Sequence, residues 1–149
     1  MHTTLGVLAV LSTGLLVGVE LSVVAVVHPI LARMPGDSAL LGRVAGARRM
    51  GRLMPFGYAA ATGCTVLLTA VEPGGQGARW SLAAAILLAL SIVLSVALLV
   101  PINNRAAGWE PGRVPADWRA QLRRWDRLHY LRLAIIGTGF VLLVLGWGR

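Results

Sequence analysis

The chain has no lysine, and its charge of +8 comes from arginine alone. Without a primary amine on a side chain, Schiff-base chemistry is excluded. Cys64 is the only cysteine, so disulfides within the chain and thiolate metal cages are excluded as well. Charged residues make up only 13% of the 149 residues, against 56% hydrophobic, and mean hydropathy is +0.72. A soluble domain of this size carries about twice that share of charge. No segment alternates apolar and polar residues, which excludes a transmembrane barrel. No nucleotide-binding, kinase or hydrolase-triad motif occurs, and no internal repeat is present.

What the chain does have is long apolar runs, at about 5–28, 53–71, 80–100 and 128–147. Each approaches the ~20 residues that a helix needs to cross a hydrocarbon core of ~30 Å. The expected fold is therefore all-α, an integral membrane four-helix bundle forming one domain over 1–149, and the lipid bilayer is its first partner. The first run lacks a basic n-region and an A-x-A site, so it is expected to be kept as a helix.

Charge placement gives an orientation. Loop 29–52 carries Arg33, Arg43, Arg48, Arg49 and Arg52 against Asp37. Loop 101–127 carries Arg105, Arg113, Arg119, Arg123, Arg124 and Arg127 against Glu110, Asp117 and Asp126. The arginine excess places both loops in the cytoplasm of a bacterial inner or plasma membrane, with both termini and the short connection from Glu72 to Arg79 outside. Arginines flanking membrane helices are a topological and lipid-headgroup signal, so no nucleic-acid partner is expected. Asp37 or Ser38 is placed to cap a short helix containing Leu40, Leu41 and Val44, and Asp117 to cap a helix running into the fourth span.

Within such a scaffold the inward polar residues carry the functional information. Trp118, Leu122, Trp125, His129, Arg132 and Ile136 alternate by four and three and so form one stripe, while Arg119, Arg123 and Arg127 fall on other faces. Glu20 lies two turns deep from His28, where an ionised group costs ~2.5–3.5 kcal/mol unless it is paired or protonated. Tyr58, Thr62, Thr65 and Thr69 form a polar stripe on the second span, and Ser91 and Ser95 a pair on the third. These hydroxyls are expected to serve as interhelical hydrogen bonds, with Tyr58 kept as a site candidate. Gly14 and Gly18 suit close helix packing. His28, Arg52, Asn103, Asn104, His129 and Arg132 converge at the inner end of the bundle, above Glu20. A greasy pocket with a few polar groups suits a flat, apolar aromatic small molecule.

The P-I-N-N segment from Pro101 to Asn104, Trp109, and Trp125 followed by His129 and Arg132 resemble the anthrone oxygenase-like family of small four-helix membrane proteins. That resemblance implies oxidation of anthrone-type polyketides, products of secondary metabolism, to anthraquinones, with molecular oxygen as co-substrate and no evident cofactor. The residues suit such chemistry. His129 is the expected base, because imidazole titrates near neutral pH. Arg132, Asn103 and Asn104 are expected to stabilise an enolate or phenolate oxygen, and Trp109 and Trp125 to stack on a flat substrate.

Two other readings stay open. A copper or iron oxidase would use His28 and His129, since Glu20 lies about 12 Å from His28 along a helix with a rise of ~1.5 Å and cannot share their ion. A copper brace at His2 would need removal of Met1 and would lie on the outer side. The remaining reading is a non-enzymatic module that binds a lipid or a partner, with homo-oligomers possible. Alternating-access transport fits four spans poorly unless the chain pairs.

Overall fold

The computed structural model describes residues 2–71 and 74–147. Met1, Gly148 and Arg149 lie outside the described residues, as do Glu72 and Pro73 of the expected outer turn. Four helices, each long and apolar enough to cross a membrane, make up most of the chain: α1 (His2–Ala32), α2 (Ser38–Val71), α3 (Gln76–Ala107) and α4 (Trp118–Trp147). Each packs against its neighbour in sequence, and α4 closes the ring against α1. Leu15, Phe56, Val93 and Val96 are among the large apolar side chains on the outer surface. A helix that is apolar on its outer as well as its inner face fits a bilayer rather than water.

The helices run longer than the apolar segments. At ~1.5 Å per residue, 30 to 34 residues reach ~45–50 Å, well beyond a ~30 Å core. The surplus lies at the arginine-rich end. There the short helix expected after Asp37 is instead the first part of α2, because Leu40 and Val44 continue its buried face and pack against Ala106 and Trp109. Likewise α3 continues through Pro101 to Ala107, so the expected loop 101–127 shrinks to 108–117 before α4 begins at Trp118.

Small residues let the backbones approach. Ala9, Ala61, Ala84, Thr13, Thr65 and Ser91 are completely buried along the bundle axis, the packing expected where lipid removes the hydrophobic drive between helices. Gly14 lies against Phe140 of α4, whereas Gly18 meets no neighbour. The hydroxyls differ from expectation. Thr65, Thr69 and Ser91 donate to carbonyls three or four residues back in their own helices rather than across the bundle, which satisfies each within its own turn.

Prolines shape the arginine-rich end. Pro29 and Pro101 each follow a π-helical turn, Val23–Val27 and Ser95–Leu99, in which the N–H of His28 bonds to Val23 O and that of Val100 to Ser95 O. A proline ring clashes with the carbonyl four residues back, and a wider turn relieves the clash. Pro55 lies inside α2, which stays helical through it. The two π turns lie next to the most polar part of the interior, at Glu20 of α1 and Ser95 of α3.

Candidate functional site

The polar interior is built around Glu20. It sits on α1 just before the π turn, 2% exposed, and faces α2 and α4. Tyr58 of α2 donates from Oη to its Oε1 at 3.0 Å. Arg132 of α4 donates from Nη2 to its Oε2 at 2.7 Å, and His129 Nε2 lies 3.2 Å from that same oxygen and 3.2 Å from the Glu20 carbonyl. The stripe read from the sequence accounts for this, since His129 and Arg132 are three residues apart on the buried face of α4.

The partners fix the tautomer. Arg132 Nη2 also donates to His129 Nδ1 at 3.0 Å. A guanidinium has no acceptor, so Nδ1 carries the lone pair and the ring proton resides on Nε2, directed at Glu20. Both nitrogens of His129 are therefore engaged, and the ring is 1% exposed. The position is a buried one rather than the open helix entrance that the sequence suggests. Arg132 Nη1 donates to Ser95 Oγ at 3.2 Å, while its Nε is buried without a partner. Glu20 and Arg132 form a net-neutral pair, which makes a charge at this depth tolerable.

A second cluster lies one turn nearer the arginine-rich end. Arg43 grips Asp126 with Nη1 to Oδ1 at 2.9 Å and Nη2 to Oδ2 at 3.3 Å. His28 Nδ1 lies 3.1 Å from Asp126 Oδ1, and its Nε2 lies 3.1 Å from Arg43 Nη1. The same logic puts the proton on Nδ1. Trp125 separates the two clusters: it stacks on His129 with ring centres 4.7 Å apart and tilts against His28 at 5.2 Å. Arg43 and Asp126 were missed as site residues because their charges read only as loop counts. The signal was the step of three from Asp126 to His129.

A cavity of about 330 Å³ opens beside the Glu20 cluster, between α2, α3 and α4. Met54, Ala59, Ile92, Val96 and Leu99 supply apolar wall, and Tyr58, Ser95, Asn103, Trp125 and Arg132 bring the polar and aromatic groups. Its size falls at the lower end of the ~300–1,000 Å³ usual for small-molecule sites. Neither Glu20 nor His129 lines it; both stand behind Tyr58 and Arg132. Asn103 reaches it while donating to Ala47 O at 3.1 Å.

Other expected site residues fall elsewhere. Asn104 is exposed, because it turns away from the face of α3 that carries Asn103. Arg52 is exposed at the arginine-rich end and lines neither this cavity nor its neighbour. Trp109 is buried in a core of Leu40, Val44 and Ala106, edge-on to Trp118, so it packs the bundle rather than a ligand.

The metal reading meets a charge problem. His28 and His129 have ring centres 6.0 Å apart, but each lone pair already faces an arginine, and a cation between them would displace both. Among the described residues no group of three or more His, Cys, Asp or Glu is placed to hold a metal ion.

A family model described as anthrone oxygenase matches residues 47–142, which include Tyr58, Ser95, Asn103, Trp125, His129 and Arg132, with Glu20 and His28 on the N-terminal side of the match. No curated protein and no solved structure matches the chain.

Proposed function

We propose that this chain, which belongs to the anthrone oxygenase family, oxidises a flat, phenolic, anthrone-like molecule with dioxygen in the cavity between α2, α3 and α4. The observation that carries the reading is the pairing of Glu20 with Arg132 at 2.7 Å directly behind a cavity that Tyr58 and Arg132 both line. Tyr58 is the hydroxyl that meets the substrate. It takes a proton from the acidic carbon while passing its own to Glu20 Oε1, 3.0 Å away.

Charge is conserved within the site by this transfer. Before it, Arg132 is balanced by the Glu20 carboxylate; after it, Glu20 is neutral and Arg132 is balanced by the enolate oxygen. Arg132, which lines the cavity, supplies a guanidinium donor for that oxygen, and in a water-poor site such a donor is worth far more than in water. The proton-acceptor role expected for His129 passes to Glu20, and His129 becomes the residue that orients it. Trp125 offers the stacking face.

The chemistry then balances without a further reductant. The enolate gives one electron to dioxygen, and the resulting carbon radical and superoxide join as a peroxide on the former methylene carbon. Loss of water from that hydroperoxide leaves the carbonyl, so one dioxygen converts a methylene to a ketone and one water. Copper, iron or an organic cofactor is not required by this balance.

Tyr58→Phe tests the reading. Turnover should fall by ~10²–10⁴-fold, the range of a lost proton-transfer group, while an anthraquinone-type product still binds, since the apolar walls and Trp125 supply most of its burial. If the variant keeps full turnover, Tyr58 is not the proton-transfer group. If the parent binds such ligands but turns none over, the chain is a binding module instead.

A further inference from the structure

We infer that a second, smaller chamber next to the substrate cavity is a dioxygen-holding site; this rests on the oxygenase reading above. The chamber, about 110 Å³, lies between the Val23–Val27 π turn of α1, the first part of α2, and the facing ends of α3 and α4. It shares Met50, Asn103 and Trp125 with the substrate cavity, so the two are one side chain apart.

Size and chemistry narrow the occupant. A tricyclic ring system needs a site of ~300 Å³ or more, which the larger cavity offers and the smaller does not. A diatomic or a water molecule fits. Water needs two to four polar partners, and an apolar cavity without them stays dry and takes apolar guests such as xenon. Here the walls are Val23, Val27, Leu31, Ile102 and Leu122. Of the polar groups at the edge, His28 and Arg43 are paired with Asp126, and the Asn103 amide nitrogen donates to Ala47 O. Val27 is also exposed on the outer surface of α1, which gives the chamber a wall on the lipid side, where an apolar gas concentrates.

Glycine keeps the space open. Gly46 lines the chamber, and a Cβ built on it meets no atom within 4 Å. Glycine inside a helix is less favourable than alanine, so larger residues here fill the chamber without a backbone penalty.

The test uses the full chain in lipid nanodiscs, with xenon as the probe of the chamber. Xenon pressure should shift the methyl resonances of Val27 and Leu31 in the parent, less in Gly46→Ala, and not in Gly46→Leu. The KM for dioxygen should rise several-fold in Gly46→Leu with the KM for the anthrone unchanged. Gly63→Leu, whose Cβ also meets no neighbour but lies away from both cavities, is the control and should alter neither. Absence of a xenon shift in the parent overturns the inference whatever the activity. So does an unchanged dioxygen KM in Gly46→Leu. Should the parent turn over no anthrone, the oxygenase reading fails by itself, and xenon alone then upholds or overturns an apolar-gas site.

Discussion

Removing both charges of the Glu20–Arg132 pair should cost less than the two single removals added together. Glu20 Oε2 accepts from Arg132 and faces His129 Nε2–H, and Oε1 accepts from Tyr58, so the carboxylate ends three donors at once. In Glu20→Gln an amide NH₂ replaces one of these oxygens and meets a donor instead of offering an acceptor, while Arg132 keeps its charge with no counter-ion. Breaking a buried pair from one side typically costs ~3–5 kcal/mol. Arg132→Met leaves Glu20 in the same position and should cost about as much by the same principle, ~3–5 kcal/mol. Glu20→Gln/Arg132→Met removes both charges, and its loss should fall short of the sum by ~2 kcal/mol or more, within the coupling seen for residues in contact. The assay is reversible unfolding in mixed lipid–detergent micelles for the four proteins of the cycle. Single losses under ~1 kcal/mol, or losses that add to within ~0.5 kcal/mol, would refute the buried ion pair.

Further outcomes follow from where side chains lie. His129→Ala should destabilise the bundle by ~2–4 kcal/mol, because it opens a void at a 1% exposed position and frees a donor from Glu20, and this is read in the same unfolding assay. Arg52→Ala and Asn104→Ala, both at exposed positions, should leave turnover and stability within ~0.5 kcal/mol of the parent, whereas loss of activity in either would place the site elsewhere. A reporter fused behind α4 should read as periplasmic or extracellular, as expected where an arginine excess holds the opposite end in the cytoplasm; a cytoplasmic signal reverses that orientation.

Much of this was legible in the residues, and the reasons differ by element. The four spans follow from apolar length alone. The stripe from Trp118 to Ile136 became the buried face of α4 because α4 is one unbroken helix, so spacing by three and four translated directly into facing. Glu20 was legible because an acid at that depth needs a partner. The partner's identity was not, since nothing in a sequence says which helix of a ring lies opposite. The same limit hid the contact of Arg43 with Asp126 and Ser95 as a partner of Arg132. Asn104 lies off the cavity for a local reason: two adjacent helical residues point about 100° apart, so the P-I-N-N segment sends only one of its amides there. Trp109 lies in the core beside Leu40 and Val44, because an interfacial indole serves packing as readily as stacking. The continuity of α2 from Ser38 was not legible in apolar length, because Leu40 and Val44 find their partners Ala106 and Trp109 only in the fold.

The most direct measurement is dioxygen consumption by the purified chain in nanodiscs with an anthrone as substrate, set against the spontaneous rate and repeated after exhaustive chelation. The expected result is one dioxygen consumed per ketone formed, unaffected by chelation and lost in Tyr58→Phe while product binding remains. Consumption no faster than the spontaneous rate, or consumption abolished by chelation, would contradict proton transfer through Tyr58 to Glu20 as the basis of the activity.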